Sequence, residues 1–210
     1  MKTDREYRNF KVPFEIRATD DNEMIVEGYA TTFNELYTLV DYGDFVVKEQ
    51  IDRKAFDNCD MSDVVFQYDH EGRVFARNKN GTLELSVDEK GLKVRANLGG
   101  TDIGRQLYQE IKGGYTDKMS FGFVVSDDTR TESMEDGITV LVRTVTGIRK
   151  LFDVSAVSLP ANDNTVISAR NFSDGVIAEI KAERLKVQKA KELRLHKQKE
   201  LELKIKLMEV

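Results

Sequence analysis

Lys118-Met-Ser-Phe-Gly-Phe-Val-Val125 is the stretch from which the organisation of this chain can be worked out. It follows the pair Gly113-Gly114, which is typical of the end of a helix, and its apolar run predicts a buried strand. Ser120 places a hydroxyl among these apolar neighbours. On the residues alone, Ser120 is either a small side chain packed inside the strand or a nucleophile that needs a base within hydrogen-bond reach.

Apolar residues that alternate with polar ones predict strands on both sides of this stretch. Residues 83–87 and 92–96 form a predicted hairpin, and a helix is predicted from Thr101, a capping residue, to Gly113-Gly114. The other predicted elements are strands at 14–18, 24–30, 64–68, 138–145 and 147–157, a short helix at 52–57 and a polar, acidic loop at 127–137. Many antiparallel strands with few helices predict a mainly β fold of the α+β class: an antiparallel β-barrel-like core with flanking helices.

The chain changes character after Arg170. From Val176 to Met208 it has no Gly or Pro, and Lys, Glu, Leu, Ala and Arg dominate, which predicts a long C-terminal helix. The apolar residues of this tail do not keep one heptad register, so a strong coiled coil is not predicted. The sequence is therefore divided into a flexible N-terminal segment, 1–12, a central domain, 13–170, and a charged helical tail, 171–210.

The net charge of −5 is unevenly distributed. Residues 179–209 carry ten Lys or Arg against six Glu, a charge of +4, while the remainder carries 22 basic and 31 acidic residues, a charge of −9. An acidic body is a poor candidate for binding nucleic acid, because neutralising phosphates takes clustered Lys and Arg. The tail mixes basic and acidic residues on a predicted helix, which indicates a solvated helical face and not a surface that binds nucleic acid.

Cysteine usage and hydropathy indicate where the protein works. The single Cys59 cannot form an internal disulfide, which favours a reducing compartment. No secretory signal opens the chain, and the longest apolar runs are far too short to span a membrane. We therefore expect a soluble, intracellular protein without a membrane partner.

His70 and Asp153 are the residues that would let Ser120 act as a nucleophile. The chain has two histidines, and His196 lies in the charged tail, so His70, which follows a short apolar strand, is the one imidazole base in the body. Asp153 is an acid in an otherwise apolar strand, and a buried carboxylate needs a partner such as an imidazolium. Structural interpretations remain open as well: a surface-loop histidine for His70, and for Asp153 an ion pair with Arg149 or Arg143.

Other site classes fit the sequence poorly. One Cys and one body His without ligand spacing do not make a zinc site, and the Gly-rich patches lack the phosphate-loop pattern. Lys118 stands where the nucleophile elbow of hydrolases has its first Gly. We therefore expect no metal and no cofactor.

Blocks along the chain resemble the tailed-phage prohead proteases, the serine proteases of capsid maturation. The serine block Met119-Ser-Phe-Gly-Phe123 and the closing block Leu151-Phe-Asp-Val-Ser-Ala-Val-Ser-Leu-Pro-Ala161, with Thr165, are the most specific. The other matching blocks are Glu27-Gly-Tyr-Ala30 with Phe33, Gln67-Tyr-Asp-His70, Asn80-Gly-Thr-Leu-Glu-Leu85 with Lys90-Gly-Leu92, and Gly104-Arg-Gln-Leu-Tyr-Gln-Glu-Ile-Lys-Gly113. Together they cover about residues 13 to 170.

The resemblance implies a serine endopeptidase with a Ser-His-Asp triad. His70 is implied as the base, Ser120 as the nucleophile and Asp153 as the acid that orients the imidazole; many family members carry Glu at the Asp153 position. The resemblance also implies a β-barrel core similar to that of the herpesvirus assembly proteases. Arg149 and Lys150, close to Asp153 in sequence, are candidate oxyanion donors through their backbone amides or side chains.

The resemblance further implies partners and a place of action. The substrates would be the scaffold, or a scaffold-like extension of the major capsid protein, inside the immature capsid (the prohead) in the host cytoplasm. Cleavage of the protease by itself and self-association are expected too. The alternative is a non-catalytic capsid assembly or scaffolding factor: a barrel that binds capsid protein and carries a helical tail.

Overall fold

A computed structural model of the chain describes residues 5–10, 15–17 and 23–158, together with seven single positions in the tail. Within these residues it has eleven strands, one α-helix and one 3-10 turn, Asn78–Asn80. The strands are β1 (Glu6–Phe10), β2 (Glu15–Arg17), β3 (Ile25–Thr32), β4 (Tyr37–Asp41), β5 (Phe45–Ile51), β6 (Val65–Tyr68), β7 (Glu71–Arg77), β8 (Leu83–Val87), β9 (Gly91–Asn97), β10 (Lys118–Glu135) and β11 (Ile138–Val157), and the helix is α1 (Asp102–Lys112).

The strands form two sheets that share one hydrophobic core. The larger sheet has seven strands in the order β1-β10-β11-β5-β4, with β6 paired to β11 and β7; the smaller has four, in the order β2-β3-β9-β8. Phe121 and Val154 of the larger sheet, Val26 and Val94 of the smaller one and Ile111 of α1 belong to the same buried cluster. The long hairpin β10–β11 is therefore the frame on which the other strands of the larger sheet assemble.

The predicted antiparallel β-barrel-like core with flanking helices is wrong. The described strands form two separate sheets instead of a closed barrel, and β11 pairs in parallel with β5 over Thr139–Val145 and with β6 over Asp153–Ala156. The described chain has α1 as its α-helix, whereas the predicted helix at 52–57 is a run of turns. Apolar alternation shows which residues face a core, but it does not show which strands pair or in which direction.

The predicted acidic loop at 127–137 is also wrong. β10 continues to Glu135 and β11 begins at Ile138, so the chain reverses at Asp136 and Gly137, which both have positive φ, 49° and 84°. A two-residue turn with both φ values positive matches the twist of the strands that it joins. Residues 129–135 of β10 are mostly exposed. A strand with both faces exposed to solvent lacks the apolar alternation by which strands are recognised.

Two predicted elements are confirmed. β8 and β9 form the expected hairpin, with Leu85 opposite Val94, and Asp88 accepts hydrogen bonds from the amides of Lys90 and Gly91 in the turn. At the start of α1, Thr101 Oγ1 accepts a hydrogen bond from the amide of Gly104 at 3.1 Å. Short polar side chains that satisfy free backbone amides define both places, which is why they can be found from sequence.

A network of buried charges joins β1 to the rest of the larger sheet. Arg8 pairs with Glu6 at 2.5 Å and, through two of its nitrogens, with Glu49 of β5. Arg143 of β11 lies 2.7 Å from Glu6 and 2.8 Å from Glu49, and the hydroxyl of Tyr37 donates to Glu49. β1 is therefore held beside β10 by ion pairs as well as by backbone pairing.

The chain divides into two compact units, residues 1–169 and the tail, residues 170–210. The predicted long C-terminal helix is not shown: seven single positions of the tail are described, all helical and exposed, and its other residues lie outside the described part of the chain. These positions are Gly175, Ala178, Ala182, Lys186, Lys189, Leu193 and Arg194. No helix in the described part of the chain is long and apolar enough to cross a bilayer.

Candidate active site

Ser120 lies inside the larger sheet, on β10 between β1 and β11. In β10 it is opposite Asn9 of β1 on one side and Ser155 of β11 on the other, and none of its surface is exposed. Side chains that face each other across paired strands point to the same side of the sheet. Ser120 therefore shares its face with Gly122, two residues along β10, and with Asp153, which is opposite Gly122.

His70 is presented by the tight turn between β6 and β7. Asp69 and His70 both adopt the left-handed conformation, with φ of 48° and 61°, and Tyr68 pairs with Glu71 on either side of them. Asp and His tolerate this conformation better than most residues do, which lets them form a two-residue hairpin turn. Because β6 is paired to β11, the turn carries the imidazole onto the face that holds Asp153 and Ser155.

Asp153 is a fully buried carboxylate whose two oxygens have different partners. Its Oδ1 accepts hydrogen bonds from Nδ1 of His70 and, at 2.9 Å, from the hydroxyl of Ser155. Its Oδ2 pairs with the guanidinium of Arg5. A buried carboxylate with this many donors is compensated for the loss of water.

The structure brings all three sequence-predicted side chains together. Nε2 of His70 lies 2.5 Å from Oγ of Ser120, and Nδ1 of the same ring is hydrogen bonded to Asp153. The ring of Tyr7 covers the imidazole, with the two ring centres 4.4 Å apart. The result is a continuous hydrogen-bonded line from carboxylate to imidazole to hydroxyl in a buried setting.

The imidazole is held in its neutral form. Burial, and after it the positive charge of Arg5, lower the pKa of His70 to about 3. A neutral imidazole has one nitrogen that donates and one that accepts. With Nδ1 donating to Asp153, Nε2 is free to accept the proton of Ser120.

The alternative partners of these residues lie elsewhere. Arg143 pairs with Glu6, Glu49 and Asp128, outside this site. Asp69, although adjacent to His70, accepts hydrogen bonds from the amide and hydroxyl of Ser158.

The predicted oxyanion donors are not among the described contacts of Ser120. Lys150 lies opposite Val124 in the β10–β11 register, and its ammonium is 3.1 Å from Asp60. Arg149, the residue before it, uses its carbonyl to accept from the Asp60 amide. The part that Arg149 and Lys150 play therefore stays a prediction.

Sequence reasoning missed Arg5, Tyr7, Ser155 and Gly122. A Cβ atom added at Gly122 would lie 2.3 Å from Oδ2 of Asp153 and 2.8 Å from Nε of Arg5, so only glycine leaves room for this ion pair. A glycine inside an apolar strand often marks such a close approach and was available as a signal. Arg5 and Tyr7 carry no such signal, because they belong to a polar segment far from the site in sequence.

Comparison with known proteins gives the family. The model of the caudovirus prohead serine protease family matches residues 12–178. The chain belongs to this family. The prohead protease of Enterobacteria phage HK97 is 30% identical to it over 164 residues, which are 77% of this chain and 67% of the HK97 protein. The solved capsid assembly protease of bacteriophage T4 is similar at a TM-score of 0.42 and 12% identity, over 74% of this chain and 98% of the T4 chain.

The protein is thus a serine protease of phage prohead maturation. In the described part of this protease, no three His, Cys, Asp or Glu side chains are grouped so that they could hold a metal ion.

Gly122→Ala is expected to lower kcat/KM for peptide cleavage by about 100-fold. The added methyl group collides with Asp153 and Arg5, and the carboxylate must move away from His70 to make room. Gly100→Ala is the matched control, because a Cβ atom there meets nothing within 4 Å. The measurement is steady-state cleavage by purified variants; equal rates for Gly122→Ala and Gly100→Ala would contradict the expected displacement of Asp153.

Proposed function

We propose that Ser120, His70 and Asp153 are the catalytic triad of this protease. The observation that carries the proposal is the hydrogen-bonded line from Asp153 through both ring nitrogens of His70 to Oγ of Ser120. A serine hydroxyl is a weak nucleophile until a base removes its proton. His70 is neutral and within reach of that proton, and Asp153 is on the far side of the ring, where an orienting group belongs.

The reaction follows from these positions. Oγ of Ser120 attacks a peptide carbonyl while Nε2 of His70 takes its proton, and the imidazolium then protonates the leaving amine. The resulting acyl-enzyme is hydrolysed by a water that His70 deprotonates in the same way. Asp153 stays ionised and accepts a hydrogen bond from Nδ1–H throughout, which keeps the ring in the tautomer that leaves Nε2 free. Ser155, 2.9 Å from Oδ1 of Asp153, donates a second hydrogen bond that orients the carboxylate.

The proposed substrates are the scaffold or a scaffold-like extension of the major capsid protein, and the protease itself. Cleavage takes place inside the prohead in the host cytoplasm, where self-association brings protease copies together. In the proposed division, residues 13–170 form the protease domain, to which the N-terminal segment, 1–12, adds β1 (Glu6–Phe10), and residues 171–210 form the charged tail. The name of the HK97 relative, a prohead protease, supports cleavage within the prohead.

Access to Ser120 requires a change in the chain around it. The hydroxyl has no exposed surface, and β1 pairs with β10 at this residue. A peptide therefore reaches Ser120 only after neighbouring chain has moved aside. It follows that the isolated protein can have a complete triad and still cleave slowly.

The test is the intact mass of the wild-type protein and of Ser120→Ala, each co-expressed with its capsid protein. We expect truncated protease and truncated capsid protein with the wild type, and full-length masses of both with Ser120→Ala, because no other described residue stands next to Nε2 of His70 as a nucleophile. A Ser120→Ala protein that still processes both chains would show that Ser120 is not the nucleophile. Full-length masses with the wild type, inside assembled particles, would favour the non-catalytic assembly factor.

A further inference from the structure

Arg5 is the one cation that contacts the proposed triad among the described residues. Its guanidinium pairs with Oδ2 of Asp153, the oxygen that His70 does not use. The guanidinium carbon also lies 5.1 Å from the centre of the Tyr7 ring and 4.7 Å from that of Phe152. Stacking on two rings and an ion pair on one carboxylate oxygen hold this side chain in place, although 34% of it is exposed.

We infer that Arg5 is a positioning residue of the proposed triad, which fixes the Asp153 carboxylate against His70 and keeps the imidazole uncharged in the resting enzyme. The inference rests on the proposed triad and adds a residue from outside the sequence blocks that resemble the family. Arg5 acts through Asp153 and does not touch the reacting atoms. The space that Gly122 leaves beside Asp153 is filled by this guanidinium, so the two residues form one arrangement.

The charges around His70 explain why Arg5 matters. The charged and polar groups around the ring are Arg5, which precedes β1, Tyr7 on β1, Ser120 on β10, and Asp153 and Ser155 on β11, with Asp69 and Glu71 on either side of His70 in the chain. Asp153 is the negatively charged group in contact with the ring, and its charge favours the imidazolium. Arg5 neutralises Asp153 and also repels a charged ring, so both of its effects favour the neutral imidazole.

Removing Arg5 is expected to raise the pKa of His70. Without the guanidinium, Asp153 stabilises the imidazolium more strongly and the repulsion disappears, so the pKa of His70 rises from its lowered value. His70 must be neutral to accept the serine proton. Activity is therefore lost at a higher pH as the solution is acidified, and the acidic limb of the pH–rate profile moves upward.

The experiment is an NMR titration of the His70 ring in a Ser120→Ala, His196→Gln chain, which has one histidine and is not expected to cleave itself. Arg5→Gln is expected to raise the pKa of His70 by about one unit or more, because Arg5 neutralises the carboxylate that contacts the ring, and an opposite charge beside an ionisable group shifts its pKa by roughly one to three units. Arg5→Lys keeps the charge and is expected to leave the pKa close to that of the parent chain. Arg53→Gln, which removes a cation that pairs with Glu89 at 3.8 Å, is the matched control.

Three results would overturn the inference. The first is an unchanged His70 pKa in Arg5→Gln, and the second is an equal rise in Arg5→Gln and Arg5→Lys. The third is rapid hydrogen exchange, in Arg5→Gln, of the β10 amides that are protected in the parent chain, which would show that Arg5 docks β1 instead of setting the charge of the site. Each of these can occur while Ser120→Ala abolishes processing, so the failure of this inference is distinct from failure of the proposed triad.

In the active chain, the same substitution has a kinetic signature. Arg5→Gln is expected to move the acidic limb of kcat/KM to higher pH, and Arg5→Lys is expected to restore its position. A change in KM alone, at an unchanged pH profile, would show that Arg5 acts on substrate binding and would overturn its assignment as a positioning residue.

Discussion

His70→Gln is expected to lower the rate of peptide cleavage by about 10⁴-fold or more without unfolding the protein. An amide cannot take up the Ser120 proton at neutral pH, so the hydroxyl stays a weak nucleophile even if Asp153 and Ser155 keep their places. Gln is polar and of similar length, and it gives the buried Asp153 carboxylate a donor in place of Nδ1. The loss should therefore appear in kcat and not as loss of the folded state.

The chain offers a matched control for this substitution. His196 is the other histidine, and it lies in the charged tail. His196→Gln should cleave at the wild-type rate, and circular dichroism should report the same fold for both variants. If His70→Gln and His196→Gln were equally active on a purified peptide substrate, the assignment of His70 as the base would be wrong.

Glu49→Gln is expected to lower the free energy of unfolding by about 3–5 kcal/mol. Glu49 is completely buried and accepts from Arg8, Arg143 and Tyr37. Gln has the same volume as Glu, but it is uncharged and places an NH2 donor near two buried guanidiniums. Glu6 is then the one carboxylate that both Arg8 and Arg143 contact. Breaking one member of a buried ion-pair network costs more than the pair contributes, because the remaining charges stay out of water.

The control is Glu84→Gln, which removes an ion pair to Arg95 at 3.1 Å on a side chain that is 65% exposed. An exposed pair contributes about 0–1 kcal/mol. Urea unfolding of both variants in a Ser120→Ala chain compares the two without interference from self-cleavage. A loss of less than about 1 kcal/mol for Glu49→Gln would show that the buried network does not stabilise the fold.

The pH dependence of stability gives a second measure of the same network. Burial by itself would raise the pKa of Glu6, but Arg8 and Arg143 together lower it to about 2, and the pKa of Glu49 is lowered for the same reason. A carboxyl whose pKa is lower in the folded state stabilises that state above its unfolded pKa, near 4.3, and loses this contribution as the pH falls toward the folded value. As the pH falls from about 5 to 2, the free energy of unfolding should therefore decrease less in Glu49→Gln than in its parent.

The site could be predicted from sequence because its members were few. The body has one histidine, Ser120 and Asp153 each lie in an apolar strand, and the family resemblance assigned their roles; the tertiary structure brings the three side chains together. The positioning residues could not be predicted in the same way. Arg5 reaches Asp153 across a chain separation of 148 residues, and only the pairing of β1 with β10 makes them neighbours.

The fold shows the same division. The β8–β9 hairpin and both ends of α1 could be predicted from local sequence, because turns and caps depend on residues that are close in the chain. The parallel direction of β5 and β6 along β11, and the formation of two sheets instead of a barrel, depend on contacts between segments that are distant in sequence. These segments share the same apolar alternation, so the pattern does not show which of them pair.

Lys118-Met-Ser-Phe-Gly-Phe-Val-Val125 carries both kinds of information. By itself it determined that a buried strand holds one hydroxyl and one glycine. Only the tertiary structure decided what they face: Ser120 meets His70, and Gly122 makes room for the Asp153–Arg5 pair. Strand order and register set those distances, and neither is encoded in a single strand, since both follow from how the whole set of strands buries its apolar faces.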